Sequence, residues 1–203
     1  MLEQSVRPWF QRYFINKVAN ILSALNIKPN SLTILSLITG FISAIFILYL
    51  PWLAVVFLLV SGYLDVLDGS VARIQKSSSS FGTMLDILSD RFVESVVIIA
   101  IFIFQPQIAW VGLIMMMSII VCISSFLLVG IFSQQESSKS FYYSPGLMER
   151  AETFIFFIIM ILLPSTVLWL GILFTVLVLW TTFYRVYEFY NQIKVKDEEN
   201  KYI

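Results

Sequence analysis

Six long apolar segments dominate the sequence and restrict what the chain can fold into. A helix that crosses the hydrocarbon core of a bilayer needs about 20 mainly apolar residues. Six segments of roughly this length lie at residues 32–50, 52–74, 81–104, 108–133, 148–164 and 166–190. The composition is 59% hydrophobic and only 13% charged, and a soluble domain of 203 residues could not bury so much apolar surface. The sequence therefore predicts an all-α integral membrane protein, a single domain over 1–203 with six transmembrane helices.

The connections between these segments differ in charge, and this difference predicts their orientation. The breaks at Pro51, at 105–107 and at Pro164-Ser165 are short and uncharged. Of the 13 Lys and Arg residues, all but Arg91 lie within two helical turns of the remaining segments or inside them, at 1–30, 75–80, 134–147 and 191–203. Basic connections stay on the cytoplasmic side. We expect both termini to be cytoplasmic, in the plasma membrane of a bacterium or an archaeon, and the mature protein to begin at Met1, because no signal peptide precedes the first span.

Residues 5–26 form an amphipathic segment rather than a span. Its apolar residues recur at helical spacing: Trp9, Phe10, Tyr13, Phe14, Val18, Ile21 and Leu22. Arg7, Arg12 and Lys17 lie between them. This pattern predicts a helix in the membrane interface, with its apolar side toward the lipid and its cations near lipid phosphates. An amphipathic helix packed on the protein itself is the alternative that the sequence leaves open.

The charge balance and the missing residue types limit the chemistry. The net charge is zero, so no overall basic field indicates a nucleic-acid partner. The chain has no histidine, and its single cysteine, Cys122, excludes both an internal disulfide and a CxxC metal site. Acid–base or metal chemistry must therefore come from carboxylates.

Four aspartates lie within the second and third predicted spans. Asp65 and Asp68 are three residues apart near the end of the second span, and Asp86 and Asp90 are four apart near the start of the third. These spacings place each pair on one face of its helix. The short connection makes the two spans antiparallel neighbours, so we expect the four side chains to converge near the cytoplasmic interface. Carboxylates at membrane depth are costly and usually functional.

Such a cluster predicts two divalent cations. Four anions in one pocket repel unless cations neutralise them, and oxygen ligands suit Mg²⁺ or Mn²⁺. Two ions about 3.5–4 Å apart could share a bridging carboxylate and clamp a pyrophosphate. Gly69 leaves the helix face bare, and Arg73 can hold a phosphate at the mouth of the pocket. The alternative is that Arg73 and Arg91 pair with the acids and only join the helices, but four acids exceed two arginines. The serines at 77–80 are expected to form only a short turn.

The segment around these acids resembles a known signature. Residues 65–90 run D-V-L-D-G-S-V-A-R-I-Q-K-S-S-S-S-F-G-T-M-L-D-I-L-S-D. This agrees at every fixed position with D-x2-D-G-x2-A-R-x8-G-x3-D-x3-D, the signature of the CDP-alcohol phosphotransferase family. The six-span layout, the N-terminal amphipathic helix and the segment from Pro29 to Thr33 are also similar to this family. The resemblance covers nearly the whole chain, although only the signature is highly specific.

The resemblance implies roles for particular residues. Asp65, Asp68 and Asp86 would bind the two metal ions, and Asp90 would complete the site and act as the general base on the acceptor hydroxyl. Gly69 and Arg73 would contact the CDP group, with Asn30, Thr33 and Ser79 as further candidates on the nucleotide side. The implied reaction, part of phospholipid biosynthesis, transfers a substituted phosphate from CDP-diacylglycerol to a small polar alcohol and releases CMP. Homodimers are common in this family.

The acceptor alcohol is less constrained. Family members that use a phosphorylated acceptor have a basic pocket beside the metals, and Arg150, Arg185 and Lys139 are the candidates here. The alternative is that these cations extend to lipid headgroups. The stretch after Pro29 has no arginine and looks less like the glycerol-phosphate subgroup, so inositol phosphate or another phosphorylated polyol is favoured. Glycerol 3-phosphate and an unphosphorylated alcohol remain alternatives.

Three other functions compete with the transferase. A cation channel or transporter would need polar residues along a path through the membrane, but the outer halves of the six segments lack charge. A catalytically silent scaffold would be expected to have lost a signature position, and none is lost. A hydrolase of CDP-lipid pyrophosphates, in which water replaces the alcohol, would use the same metals and is hardly distinguished by sequence.

Overall fold

The computed structural model describes residues 11–136 and 148–200, without the side chains of 12, 134–136 and 195–200. Seven α-helices make up nearly all of this part of the chain. Their bounds are α1 Asn16–Ala24, α2 Pro29–Ile47, α3 Pro51–Ile74, α4 Ser80–Ile103, α5 Ala109–Glu136, α6 Arg150–Leu162 and α7 Val167–Asn200. A π-helical turn, Gln11–Ile15, precedes α1, and 3₁₀ turns, Pro106–Ile108 and Pro164–Thr166, precede α5 and α7. The described residues contain no strand, so the predicted all-α class is confirmed.

Four helical stretches among the described residues are long and apolar enough to cross a membrane: Pro29–Ile47, Pro51–Ile74, Pro106–Ser133 and Pro164–Lys194. Two of the six predicted segments are not in this group. The third segment, α4, contains two aspartates, an arginine and a glutamate, and α6 has only 13 residues. Helix α4 carries two of the four predicted site aspartates, and its charged residues distinguish it from an ordinary span.

The observed helix ends explain where the predicted boundaries shift. Pro29 and Pro51 occupy the first turns of α2 and α3, where a missing N–H leaves no hydrogen bond unmade. Lys76, with a φ of 51°, ends α3, and the Ser77 N–H donates to the Ala72 carbonyl at 3.0 Å. The final helix differs most, because α7 continues to Asn200 rather than ending near residue 190.

Hydroxyl groups join α2 to α3 along their facing sides. Ser36 donates to the Ser61 carbonyl at 2.8 Å, and Ser61 donates back to the Ser36 carbonyl at 2.9 Å. Ser43 donates to the Ala54 carbonyl at 2.8 Å. Small side chains that bond across helices let the backbones approach closely in a lipid environment. This contact holds α3 against α2, and α4 also packs on α2.

The remaining helices form a second layer of contacts. The long helices α5 and α7 pack on each other, and α6 lies against α3, α4 and α7. Gly62 lets α6 come close to α3, because a Cβ at this position would lie 2.7 Å from the Phe154 ring. This close approach brings the start of α6 to the acidic end of α3.

The N-terminal segment packs on the protein with one face and is exposed on another. Ile15 and Ala19 are fully buried against Leu67 and Val71 of α3. Tyr13 and Ile21 are more than half exposed. The helix that the structure describes begins at Asn16, so the predicted start at residue 5 falls outside the described residues.

Candidate active site

Three of the four predicted carboxylates meet where α3 and α4 face each other. Asp65, Asp68 and Asp86 each offer a carboxylate oxygen, and these oxygens all lie within 4.8 Å of one another. Asp68 is buried, with 5% of its surface exposed, and its neighbours are half-buried. The spacing of three residues on α3 puts Asp65 and Asp68 on one face of the helix. The antiparallel α4 then brings Asp86 to this face.

Thr33 holds one of these carboxylates from a third helix. Its hydroxyl donates a hydrogen bond to Oδ2 of Asp68. Both side chains are buried, so this bond replaces some of the hydration that Asp68 loses. The contact places α2 at the acidic cluster.

The fourth carboxylate, Asp90, lies beside the triad and is joined to it through an arginine. Arg150, the first residue of α6, forms ion pairs with both Asp65 and Asp90 through Nη1. Arg91 Nη2 lies 3.8 Å from Asp90 Oδ2. Arg150 therefore links α6 to α3 and α4, a contact that the sequence did not predict because it expected this residue to face an acceptor phosphate.

Glu94 is a buried acid near this cluster that the sequence analysis overlooked. Only 3% of its surface is exposed, and its carboxylate lies 2.8 Å from Arg91 Nη1. Asp86, Asp90 and Glu94 follow one another at intervals of four residues, so they share one face of α4. The rule that singled out the aspartates, an acid at membrane depth, would also have found Glu94.

The acidic cluster fits divalent cations by its chemistry and charge. Its donors are carboxylate oxygens, the ligands preferred by Mg²⁺ and Mn²⁺. Oδ1 of Asp65 is buried and has no hydrogen-bond partner among the described residues. The four aspartates and Glu94 are contacted by two arginines, Arg91 and Arg150, so negative charge remains for a cation to neutralise.

A cleft of about 170 Å³ opens beside the triad. Its wall contains two of the triad aspartates and all five residues predicted on the nucleotide side. The lining residues among these are Asn30, Thr33, Asp68, Gly69, Arg73, Ser79 and Asp86. The carboxylates and the candidate nucleotide-binding residues thus share one cavity.

Two features shape the wall of this cleft on α3 and α4. Gly69 has only Arg73 Nη1 near the place of a Cβ, at 3.7 Å, so the helix face there is bare. Ser79 caps α4 by accepting a hydrogen bond from the Gly82 N–H at 3.0 Å. Ser77 and Ser78 also line the cleft, so the expectation that the four serines form only a turn is wrong. Their role depends on the fold of α3 against α4, which the local sequence does not show.

Arg185 and Lys139 are the other two residues predicted to bind the acceptor, and neither is seen in contact with the acidic cluster in the described part of the chain. Arg185, on α7, donates to the Cys122 carbonyl at 3.0 Å and to Ser125 Oγ at 3.2 Å, both on α5. Its guanidinium lies 5.3 Å from the centre of the Phe126 ring. Lys139 lies outside the described residues.

Comparisons with known proteins agree with this architecture. The chain is 31% identical over 177 residues to an archaetidylinositol phosphate synthase of Pyrococcus horikoshii, covering 86% of this chain and 89% of that protein. It is 41% identical over 66 residues to a bifunctional IPC transferase and DIPP synthase of Aquifex aeolicus, which is 32% of this chain but only 15% of the length of that relative.

A solved structure has the same fold. It is the crystal structure of Mycobacterium tuberculosis phosphatidylinositol phosphate synthase with CDP-DAG bound, with a TM-score of 0.67 and 19% sequence identity. The match covers 87% of this chain and 94% of that chain.

The family assignment follows from these matches together with the signature in α3 and α4. Residues 26–183 match the family described as CDP-alcohol phosphatidyltransferase, which includes the amphipathic segment's end, the acidic cluster and the cleft. The chain is therefore an integral membrane protein that belongs to the CDP-alcohol phosphatidyltransferase family, the family of enzymes that transfer phosphatidyl groups from a CDP-linked donor.

Proposed function

We propose that this protein transfers the phosphatidyl group of CDP-diacylglycerol to a phosphorylated polyol, with inositol phosphate as the favoured acceptor, and releases CMP. The observation that carries the proposal is that Asp68 and Asp86 belong both to the acidic triad and to the wall of the cleft. A pyrophosphate held in this cleft would lie directly against the carboxylates.

The proposed reaction exchanges one phosphorus–oxygen bond for another. The acceptor hydroxyl oxygen attacks the phosphorus nearest the diacylglycerol, and the bond from that phosphorus to the CMP oxygen breaks. The hydroxyl proton passes to the carboxylate of Asp90, and CMP leaves with the electron pair of the broken bond. Asp90 suits this step because it is the site carboxylate outside the triad, at its edge.

Two divalent cations, Mg²⁺ or Mn²⁺, are proposed to bind Asp65, Asp68, Asp86 and Asp90. When bound, they would balance the charge that develops on the pyrophosphate. Their site is supported by the oxygen-only donor set, the unpartnered Oδ1 of Asp65 and the excess of acids over arginines. Thr33 would keep the Asp68 carboxylate oriented through its hydrogen bond.

The nucleotide part of the donor is proposed to occupy the cleft. Arg73 would contact its phosphates, the bare helix face at Gly69 would allow close approach, and Asn30, Thr33 and Ser79 would contribute hydrogen bonds. All five line the cleft. The solved neighbour, whose description includes bound CDP-DAG, supports a donor of this kind. The acyl chains would stay in the bilayer between helices.

The acceptor is proposed to bind on the opposite side of the triad, near Arg150. This arginine already contacts Asp65 and Asp90, so a phosphate bound to it would bring an acceptor hydroxyl near the proposed base. Arg185 and Lys139 are the further candidates, Lys139 from its position in the sequence alone. The inositol phosphate acceptor is supported by the archaeal relative, an archaetidylinositol phosphate synthase, and by the solved neighbour, a phosphatidylinositol phosphate synthase.

The membrane arrangement is proposed to have six spans in one domain over residues 1–203. In this arrangement α4 and α6 cross the bilayer with the four more apolar helices, and their ionisable residues face the protein. The amphipathic segment lies in the cytoplasmic interface, its exposed Tyr13 and Ile21 toward lipid. Both termini and the cleft face the cytoplasm of a bacterium or an archaeon, and two chains form a homodimer.

The test is to measure CMP release by the purified protein in detergent or lipid vesicles with CDP-diacylglycerol and Mg²⁺ or Mn²⁺. The acceptors compared are inositol phosphate, glycerol 3-phosphate, inositol, glycerol and water alone. We expect CMP release that depends on inositol phosphate and is matched by formation of a phospholipid. Release with water alone would indicate a hydrolase, and release with glycerol 3-phosphate or an unphosphorylated alcohol only would overturn the proposed acceptor. No CMP release under any condition would contradict the transferase itself.

A further inference from the structure

Ser70 is a buried hydroxyl at a variable position of the signature, and its hydrogen-bonding capacity is fully used. Its Oγ donates to the Val66 carbonyl at 2.9 Å. It accepts one hydrogen bond from Gln11 Nε2 at 2.9 Å and another from Arg73 Nη2 at 3.0 Å. One donated and two accepted bonds are all that a serine hydroxyl can make. A side chain that is 3% exposed and completely satisfied has a single allowed arrangement.

The arginine on this hydroxyl is the one that lines the cleft. Arg73 is exposed, yet its side chain folds back along its own helix rather than extending into solvent. Nη2 is held by Ser70, and Nη1 lies over the bare backbone at Gly69. An exposed arginine loses rotamer entropy when it binds a phosphate, and an acceptor that already holds its guanidinium lowers this loss.

The third group on the hydroxyl comes from the N-terminal segment. Gln11 lies in the π-helical turn Gln11–Ile15, which is anchored to α3 at two further places. Ile15 is fully buried in the cluster with Leu67 and Val71 of α3. The Tyr63 hydroxyl, also on α3, donates to the Phe14 carbonyl at 3.0 Å. The turn is therefore fixed on α3 at the level of Ser70.

We infer that Ser70 and Gln11 are positioning residues that set the Arg73 guanidinium over Gly69, ready to receive the phosphates of a CDP-linked donor. Gln11 acts through Ser70: its N–H occupies one lone pair of the hydroxyl oxygen, which leaves the other for Arg73. The N-terminal segment thus contributes to donor binding without touching the cleft. This inference rests on the proposed function, because it takes Arg73 to be a donor-binding residue.

The main test is the Ser70→Ala variant. Alanine suits a buried helical position, so the fold should be kept. The variant loses one hydrogen bond to a charged group, and the exposed arginine recovers part of that loss through water. We expect the KM for CDP-diacylglycerol to rise about 5-fold, with kcat within 2-fold of the wild type and the acceptor KM unchanged. Ser118→Ala is the matched control, since its buried hydroxyl bonds only to the Met115 carbonyl on α5 among the described partners. It should leave all three constants unchanged.

A double-mutant cycle separates positioning from a general structural effect. If Ser70 acts through Arg73, Ser70→Ala combined with Arg73→Ala should raise the donor KM no further than Arg73→Ala alone. Gln11→Ala should raise it about 2-fold by itself and have no added effect in the Ser70→Ala background. Multiplying effects, a fall in kcat with an unchanged donor KM, or no change in Ser70→Ala would each overturn the inference.

Direct binding of CMP keeps this outcome distinct from that of the proposed function. The affinity of the purified protein for CMP with Mg²⁺ is measured by calorimetry for the wild type, Ser70→Ala and Ser118→Ala. If the wild type binds CMP but transfers nothing, the proposed function fails, and an approximately 5-fold weaker affinity in Ser70→Ala alone still supports the inference. An equal affinity in all three proteins, or no binding by the wild type, overturns it.

Discussion

The helix pairs α3–α4 and α5–α7 differ in how their members meet. Helices α5 and α7 pack directly on each other, whereas α3 and α4 both pack on α2 and approach each other at their acidic side chains. The α3–α4 pair carries five acids on facing surfaces, more than Arg91 and Arg150 can neutralise. The α5–α7 pair is closely packed instead: Gly171 leaves no room for a Cβ beside Val111, and Arg185 is bonded to the Cys122 carbonyl. Stability in lipid is available from packing of the second kind. The excess charge of α3–α4 is the basis of the proposed cation site.

The largest expected effect is on catalysis, when an aspartate of the α3–α4 pair is replaced. Asp90→Asn keeps the size of the side chain but removes the proposed base, so kcat for CMP release should fall by at least about 10³-fold, toward the upper range of general-base effects. Binding of CMP with Mg²⁺ should be largely kept. Asp68→Asn should lose both turnover and binding, because Asp68 lies in the triad and in the cleft. If Asp90→Asn loses CMP binding as completely as Asp68→Asn, Asp90 is a metal ligand first and the assignment as base is wrong.

Arg150 connects α6 to α3 and α4, and its replacement should have the next largest effect. Arg150→Ala removes a cation from Asp65 and Asp90, and we expect the acceptor kcat/KM to fall about 10²-fold, as for loss of a charged partner worth roughly 3 kcal/mol. Its melting temperature should also fall more than that of the wild type when EDTA replaces Mg²⁺, because the acids then lack both kinds of cation. Arg150→Lys serves as the charge-conserving control. An unchanged acceptor KM and an unchanged response to EDTA would separate Arg150 from the site.

Gly171→Ala tests the α5–α7 pair in the opposite sense. The added methyl would meet Val111, and overpacking of this kind costs about 1–3 kcal/mol. We expect a melting temperature several degrees lower, with the donor KM unchanged. Gly69→Ala is the matched change in α3, where there is space for the methyl group beside the helix. It should leave the melting temperature unchanged and raise the donor KM. The reverse pattern would contradict the division between a packed pair and a binding pair.

Arg185 should give the smallest effect. It is satisfied by a backbone carbonyl and by Ser125 Oγ on α5, so its direct share in binding an acceptor would be partial. Arg185→Met keeps the apolar stem, and the acceptor KM should rise about 3-fold, in line with roughly 0.6 kcal/mol for a weakly coupled charge. Kinetics with varied inositol phosphate check this value. An effect equal to that of Arg150→Ala would mean that both arginines bind the acceptor to the same extent, which would contradict the proposed difference between the α3–α4 and α5–α7 pairs.

Much of the site could be predicted from the sequence because it is encoded locally. Spacings of three and four residues on two consecutive helices are enough to bring Asp65, Asp68 and Asp86 together. Pro29 begins α2 and Ser79 caps α4, and both helices start within a few residues of the predicted segments. Intramembrane acids stand out against an apolar background, which is why the aspartates were found without a structure.

What escaped prediction depends on contacts between distant parts of the chain. Arg150 reaches the acids because Gly62 admits Phe154, and no spacing in the sequence reports that approach. Ser70 looks like an ordinary helical serine until Gln11, 59 residues away, is seen on its hydroxyl. Glu94 is different, since the rule applied to the aspartates would have found it. The amphipathic segment shows the same limit. Its sequence pattern is equally suited to a helix that faces lipid and to one that packs on the protein, and the burial of Ile15 shows only that one face packs on the protein.

The most direct test of the central claim, that the α3–α4 acids form a metal-dependent transfer site, is a titration of Mg²⁺ with two products followed together. Purified protein is given CDP-diacylglycerol and inositol phosphate, and CMP and the new phospholipid are both quantified as the ion concentration rises from an EDTA-treated start. We predict no product in EDTA, a rise of both products with Mg²⁺ and one phospholipid for each CMP. Equal CMP release in EDTA, or CMP release without phospholipid, would contradict the account.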